Sequence, residues 1–160
     1  MEEQTKVDDA KMTTRQKAAD MVERLRRGEK MAEILDLRSS TVANLEAQVF
    51  RLYRNGLFSR AKTAGRGVLA LDEDRPLMHL VLGDIALEEY RFSEAVKYLR
   101  RADELAPDKP VIRARLGEAL LKDGEVREAR SHLEAVIDAG AEVGADDRRR
   151  CQVLLRAVDE

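Results

Sequence analysis

The sequence predicts an all-α fold, in which three helix–turn–helix repeats stack into a right-handed superhelix between an N-terminal helix and a C-terminal capping helix. The first observation is a spacing of 34 residues between similar positions. It relates Pro76 to Pro110, Leu82-Gly83 to Leu116-Gly117, Leu71 to Leu105, Ala61 to Ala95 and Ala129, and Gly56 to Tyr90 and Gly124. The second is composition: 38% of the residues are charged and only three are proline, which is typical of helices with solvated outer faces.

The central unit, residues 76–109, explains the spacing physically. Gly83 and Ala95 are small at the points where two helices of a hairpin must approach closely, and Pro107 and Pro110 disfavour a continued helix in the residues before them. A single hairpin cannot bury its apolar face, so neighbouring hairpins must complete the core. This 34-residue pattern is typical of the tetratricopeptide repeat. It predicts repeats at residues 42–75, 76–109 and 110–143 and a capping helix at 145–159.

The flanking segments have different characters. Residues 1–12 are polar and are predicted to be disordered. Residues 13–40 are predicted to be helical, with Thr13 or Thr14 capping a helix that ends near Arg27. The apolar face of that helix carries Ala18, Met21, Val22 and Leu25. The capping helix is predicted to turn Arg148, Arg149, Arg150 and Arg156 outward into solvent.

Repeat one departs from the pattern in two ways. Gln48-Val49 stands where Leu-Gly is expected, and Gly65 and Gly67 lie inside its second helix. Each glycine should cost about 1 kcal/mol relative to alanine. The glycines mark either a tight crossing or a soft spot, and the sequence leaves both alternatives open.

Several functional classes are disfavoured by the sequence. A net charge of −2 lacks the excess of positive charge that nucleic-acid binding requires. No apolar run approaches the roughly 20 residues that span a membrane. His79 and His132 occupy different repeat positions, so His79 is predicted to pack rather than to bind metal, and Cys151 is predicted to be a buried thiol. We therefore expect no enzyme activity, no cofactor and no metal. The acidic opening and the single cysteine indicate a cytoplasmic protein.

The predicted binding surface is the concave side of the superhelix, to which each repeat contributes residues at positions 2, 5, 9 and 12. These are Ala43, Glu46, Phe50 and Tyr53 in repeat one, Leu77, Leu80, Asp84 and Leu87 in repeat two, and Val111, Ala114, Glu118 and Leu121 in repeat three. Most are apolar, which favours a peptide-binding groove. The alternative is that the N-terminal segment or a second subunit fills it. Asp84 and Glu118 disfavour a groove that grips a carboxylate.

A family resemblance extends over about residues 28–140. It is carried by MAEILDL (31–37), SST (39–41), LE (45–46), VF (49–50), Tyr53, NG (55–56), FSRA (58–61) and LALD (69–72). These segments resemble the class II chaperones of bacterial type III secretion, which hold hydrophobic translocator proteins. Glu46 replaces an aromatic residue of that family, and residues 111–115 are closer to a general tetratricopeptide repeat.

The resemblance implies a non-enzymatic chaperone. Its groove would bind an extended apolar segment of a translocator and prevent aggregation before secretion, with Phe50, Tyr53 and Phe58 at the family's aromatic positions. It also implies a homodimer contact through the N-terminal helix, at Ala18, Met21, Val22 and Leu25. The alternative function is a scaffold or adaptor in another bacterial assembly, such as pilus biogenesis or a different secretion subcomplex.

Overall fold

The computed structural model describes residues 12–107, 109–139 and 143–159, and within them it contains nine helices and no strand. The helices are α1 (Thr14–Arg26), α2 (Met31–Ile34), α3 (Ser39–Arg54), α4 (Phe58–Leu71), α5 (Pro76–Glu88), α6 (Phe92–Leu105), α7 (Pro110–Asp123), α8 (Val126–Asp138) and α9 (Ala145–Asp159). The disorder predicted for residues 1–12 falls outside the described residues, apart from Met12.

The helices pair as the 34-residue spacing predicts. Helices α3 and α4, α5 and α6, and α7 and α8 form three hairpins, and the second helix of each hairpin packs on the first helix of the next. Helix α9 packs against both α8 and α7, whereas α1 packs on the short helix α2. The all-α repeat architecture predicted from the sequence is thus confirmed.

The helix ends follow from local sequence. Thr13 caps α1, because its side chain accepts a hydrogen bond from the Gln16 amide while the Gln16 side chain bonds back to the Thr13 amide. Pro76 and Pro110 begin α5 and α7, where a missing backbone N–H breaks no helical hydrogen bond. Gly124 ends α7 in the left-handed conformation, with φ of 92°.

Close helix crossings explain the small residues of repeats two and three. A Cβ atom placed on Gly83 would lie 2.5 Å from Leu99 Cγ, and one on Gly117 would lie 2.8 Å from Leu133. Each glycine therefore forms the gap that a leucine of the partner helix fills.

Repeat one inverts this arrangement. Its residue at the glycine position is Val49, and its residue at the leucine position is Gly65, each 34 residues before its counterpart in repeat two. A Cβ atom on Gly65 would lie 3.5 Å from Val49 Cγ1 and 3.4 Å from Leu82 Cδ2. The large and small residues have exchanged helices, so Gly65 lies at the helix crossing, where an added methyl group would make ordinary van der Waals contacts. Gly67 differs, because a Cβ atom there would meet nothing within 4 Å.

Two candidate reactive residues have structural surroundings, as the sequence predicts. The buried His79 side chain donates from Nε2 to the Glu73 carbonyl oxygen at 2.9 Å, and its ring packs near that of Tyr98. Cys151 is fully buried against α7 and α8, and burial raises the pKa of its thiol. Both side chains stabilise packing.

Ion pairs attach the segment before α3 to the end of repeat one. Lys30 Nζ lies 2.7 Å from Asp72 and 3.1 Å from Asp74, and Arg75 Nε lies 2.7 Å from Asp72. Asp72 is buried, and although burial raises its pKa, the hydrogen bonds from Lys30 and Arg75 bring that pKa below its usual value. This cluster fixes the position of α2 beside α4.

Candidate peptide-binding groove

We call the surface formed by α3, α5 and α7, the first helices of the three repeats, the inner face. The second residue of each repeat is exposed on this face. These residues are Ala43, Leu77 (37% exposed) and Val111 (40% exposed), which are 34 residues apart in the sequence. Phe50, which is 37% exposed, adds an aromatic ring to this set. These four residues, which we call the apolar stripe, lie on all three repeats without a covering element among the described residues.

The aromatic residues of repeat one support one another. The ring centroid of Tyr53 lies 6.2 Å from that of Phe50 and 5.9 Å from that of Phe58. Tyr53 and Phe58 are partly buried and pack on the core of repeat one, so Phe50 is the ring that offers most surface to a ligand. Such rigid, supported aromatic residues often dominate binding energy.

The remaining predicted groove residues range from half-buried to buried. Leu80 and Leu121 are half-buried, and Glu46 is half-buried in an ion pair with Arg75. Leu87 is only 7% exposed and Ala114 only 5%, because both pack in the core. The sequence placed Leu87 and Ala114 among the groove-lining residues, but their side chains contribute mainly to the interior.

An ionic network occupies the inner face of repeat three. Glu118 is only 4% exposed and is bonded by Arg150 of α9 at 2.8 and 3.0 Å. Arg115 and Lys122 each lie 3.3 Å from the same carboxylate. The Arg150 side chain is 49% exposed, as the outward orientation predicts, but because α9 packs on α7 its guanidinium also pairs with Glu118, which the sequence did not predict.

The network continues into repeat two through Asp84. Asp84 accepts a hydrogen bond from the Tyr53 hydroxyl at 3.0 Å, and its other carboxylate oxygen lies 3.4 Å from Arg115 Nε. Arg115 thus links the carboxylates of two successive repeats. The three cations in the network already face carboxylates of the chain itself, which is unlike a groove prepared to grip a ligand carboxylate.

Burial and pairing shift the pKa values in this network in different directions. Burial raises the pKa of Asp84, and the nearby Arg115 charge offsets this only in part. Burial and the Asp84 charge raise the pKa of Tyr53 to about 12, so its hydroxyl is a neutral donor at pH 7. Burial also raises the pKa of Glu118, but the Arg150 hydrogen bond and the surrounding cations outweigh this and lower it.

Two cavities meet at this network. One of about 110 Å³ lies between repeats one and three, and a wider cleft of about 670 Å³ lies between α7 and α9. Both are lined by Arg115, Glu118, Lys122 and Arg150, and the smaller one is also lined by Tyr53, Asp84, Leu87, Glu88 and Tyr90. The ionic network therefore separates the apolar side of the inner face from the cleft beneath α9.

Sequence reasoning missed Arg115, Lys122, Arg150 and Tyr90 at this site. The acids at the ninth position of repeats two and three were a usable signal, because a buried carboxylate requires a cation nearby. Arg115 lies 31 residues after Asp84, close to the repeat length, so stacked hairpins bring the two together. Arg150 lies outside the repeats, and its role depends on how α9 packs.

The N-terminal helix leaves its apolar face uncovered. Val22 is 47% exposed and Leu25 is 40% exposed, Ala18 is exposed, and Met21 is half-buried. The residues that line the two inner-face cavities come from residues 53–154, and none belongs to the described part of the N-terminal segment. A dimer contact through α1 stays a prediction.

Two further properties concern the described residues only. They contain no cluster of three or more His, Cys, Asp or Glu side chains arranged to hold a metal ion. No helix within them is both long enough and apolar enough to cross a membrane.

Comparison with known proteins agrees with the repeat architecture. Residues 86–146 match the family model described as tetratricopeptide repeat. The fold is the tetratricopeptide-repeat fold. Tetratricopeptide repeat protein 34 from Homo sapiens is 36% identical over 93 residues, which are 58% of this chain. The chain spans only 16% of the length of that relative.

Solved structures from type III secretion are similar to this chain. A type III secretion complex from Aeromonas hydrophila matches with a TM-score of 0.75 and 22% identity, over 88% of this chain and 95% of that one. The Yersinia enterocolitica chaperone SycD, in complex with a peptide of the translocator YopD, matches with a TM-score of 0.68 and 22% identity, over 76% of this chain and 95% of that one. The resemblance to translocator chaperones is confirmed at the level of the fold.

Proposed function

We propose that this chain is a non-enzymatic cytoplasmic chaperone that binds an extended apolar segment of a type III secretion translocator on its inner face. Binding would prevent that segment from aggregating before secretion. The observation that carries the proposal is the apolar stripe, which is exposed on all three repeats. The match to a chaperone that holds a translocator peptide supports the same conclusion.

The shape of the surface favours a peptide over a small molecule. Leu77 and Val111 occupy equivalent positions on neighbouring hairpins, so the stripe follows the direction in which the repeats stack. An extended chain rises about 3.3 Å per residue and can place alternate side chains along such a line. Burying apolar surface contributes roughly 25 cal/mol per Å², from which the cost of ordering the peptide must be subtracted.

The charges of the inner face limit where an apolar segment binds. The carboxylates of Asp84 and Glu118 are already paired with Arg115 and Arg150. An apolar segment that broke these ion pairs would leave buried carboxylates without a cation, which is costly. We therefore infer that the segment lies mainly on repeats one and two and contacts repeat three near Val111. Phe50 is its principal anchor.

The experiment begins with recovery of the partner. The tagged chain is purified from its native host, co-purifying proteins are identified by mass spectrometry, and overlapping synthetic peptides of the recovered protein are titrated against the pure chain. We expect one secreted protein with long apolar segments and one peptide region that binds. The peptide should bind at least tenfold more weakly to Phe50→Ala or Val111→Glu.

A matched control distinguishes the inner face from surface charge in general. Val126 begins α8 and is 41% exposed, compared with 40% for Val111 at the start of α7. Val126→Glu should therefore retain full affinity, and because Val111 and Val126 are about equally exposed, the two glutamate variants should change the unfolding free energy by similar amounts. Equal affinity of Val111→Glu and wild type, with recovery of several machinery components instead, would indicate a scaffold.

A further inference from the structure

Tyr90 adopts a backbone conformation that suits glycine. Its φ is 59°, in the left-handed region, where a bulky side chain is rarely found. The residues at the same turn in the other repeats are Gly56, with φ of 72°, and Gly124, with φ of 92°. The other non-glycine residue with positive φ in the described chain is Asp36, a residue type that tolerates this region. The turn requires a left-handed residue, and only repeat two supplies a tyrosine.

Contacts within the chain do not explain the tyrosine. Its side chain is 80% exposed, and its ring lies edge-on to the ring of Phe92, with centroids 6.1 Å apart. The hydrogen bonds that close the turn run from the Tyr90 amide to Leu87 at 3.1 Å and from the Arg91 amide to Ala86 at 2.8 Å. These are backbone bonds that glycine would form equally well. Within the described residues, the contact with Phe92 is thus the identified side-chain interaction that could offset the backbone strain.

The ring stands beside the candidate groove. Tyr90 lines the smaller cavity together with Tyr53 and Leu87. The carboxylates of Asp84 and Glu118, which also line the cavity, are paired with cations of the chain, whereas Glu88 is exposed beside the ring. A ligand side chain that contacts Tyr90 here meets the apolar face of an aromatic ring.

We propose that Tyr90 is a specificity-determining anchor of the groove, whose ring packs on an aliphatic side chain of the bound segment. This inference rests on the proposed function, because the ligand is the same extended peptide. The strained turn holds the ring at the edge of the inner face before the peptide arrives. The contact with the peptide supplies further compensation for that strain.

The test exploits opposite effects on stability and binding. In Tyr90→Gly the strain is relieved, so the midpoint of thermal unfolding should rise by about 2–4 °C. The affinity for the synthetic peptide identified above should fall about tenfold. Tyr90→Phe keeps the ring and should bind within about twofold of wild type, because the apolar face of the ring makes the proposed contact.

The outcomes separate this inference from the proposed function. If Phe50→Ala and Val111→Glu weaken peptide binding while Tyr90→Gly does not, Tyr90 is not an anchor and the groove stands. If no variant affects binding, or no secreted partner with an apolar segment is recovered, both proposals fail. An unfolding midpoint that falls in Tyr90→Gly would show that the chain itself stabilises the tyrosine, which also overturns the inference.

Discussion

Repeats one and three differ in how much of their inner faces is exposed. The repeat whose sequence matches the tetratricopeptide pattern better has the more covered inner face. Repeat three follows the tetratricopeptide pattern closely, with Leu116-Gly117 in its first helix and Gly124 in its turn, yet α9 and the Glu118 network cover much of its inner face. Repeat one breaks the pattern at Val49 and Gly65, yet its inner face presents Phe50, the aromatic ring of the apolar stripe. A close match to the repeat pattern shows how the two helices of a hairpin pack. It does not show which surface of the hairpin stays exposed for binding.

The comparison also explains why repeat one folds despite its irregularity. Valine at the glycine position would separate the two helices if a leucine faced it, as Leu99 faces Gly83 and Leu133 faces Gly117. With Gly65 opposite, the combined volume at the crossing stays acceptable. Val49 at the glycine position and Gly65 at the leucine position look independent in the sequence. The small residue compensates for the large one at the same helix crossing.

The largest expected effect comes from restoring the usual arrangement in repeat one. Val49→Gly alone should destabilise the chain by about 3 kcal/mol through a cavity and a helical glycine. Gly65→Leu alone should cost about 1–3 kcal/mol through overpacking. The double variant rebuilds the Gly–Leu pair, so it should cost at least about 1 kcal/mol less than the sum. Urea unfolding of the four proteins measures this coupling.

Gly67 provides the control for that cycle. It lies in the same helix, but its Cβ direction is open. Val49→Gly combined with Gly67→Leu should therefore show effects that add within about 0.5 kcal/mol. Additive effects in the Gly65 cycle as well would mean that the exchange of large and small residues is not a compensation.

An intermediate effect is expected at the network on repeat three. Glu118→Gln should reduce the unfolding free energy at pH 7 by about 2 kcal/mol, because the amide cannot neutralise Arg150, Arg115 and Lys122. The pKa of Glu118 is lowered on folding from its usual value of 4.5. The stabilisation is therefore fully present above pH 4.5 and is lost as the pH falls through the folded-state pKa.

Denaturant unfolding across pH checks this expectation. The difference between wild type and Glu118→Gln should be constant above pH 4.5 and shrink in more acidic buffer. Glu104 is the matched control, since it also pairs with an arginine but its side chain is 63% exposed. Glu104→Gln should change stability by less than about 0.5 kcal/mol. A pH-independent difference for Glu118→Gln would contradict the role of its charge.

The smallest expected effect concerns the two glycines of α4. Gly67→Ala should stabilise the chain by about 0.5–1 kcal/mol, because alanine favours the helix and its methyl group meets no neighbour. Gly65→Ala should stabilise the chain by at least as much, because its methyl group would make ordinary van der Waals contacts with Leu82 at 3.4 Å and Val49 at 3.5 Å. Thermal unfolding of the two variants measures both gains. A lower unfolding midpoint for Gly65→Ala than for wild type would mean that the helix crossing has no room for a methyl group.

Much of the fold was predictable because its causes are local or periodic. The 34-residue spacing predicted the positions of the hairpins. Thr13 predicted the N-terminal cap of α1, and Pro76 and Pro110 predicted the starts of α5 and α7. The exposure of the second residue of each repeat on the inner face was also predictable, since helical periodicity fixes the side of the helix on which that residue lies. The burial of Leu87 and Ala114 was not predictable, because the same periodicity does not say how far a neighbouring element covers a residue.

The sequence by itself determined that this chain forms stacked helical hairpins, because side chains at fixed spacing must bury one continuous apolar face. Tertiary structure decided which part of the inner face stays open. The packing of α9 on α7 brings Arg150 to Glu118 and places Cys151 beside Ala114. These contacts join residues 32 and 37 positions apart, one in a repeat helix and the other in the capping helix. No repeat period encodes them, so they follow only from the packing of the folded chain.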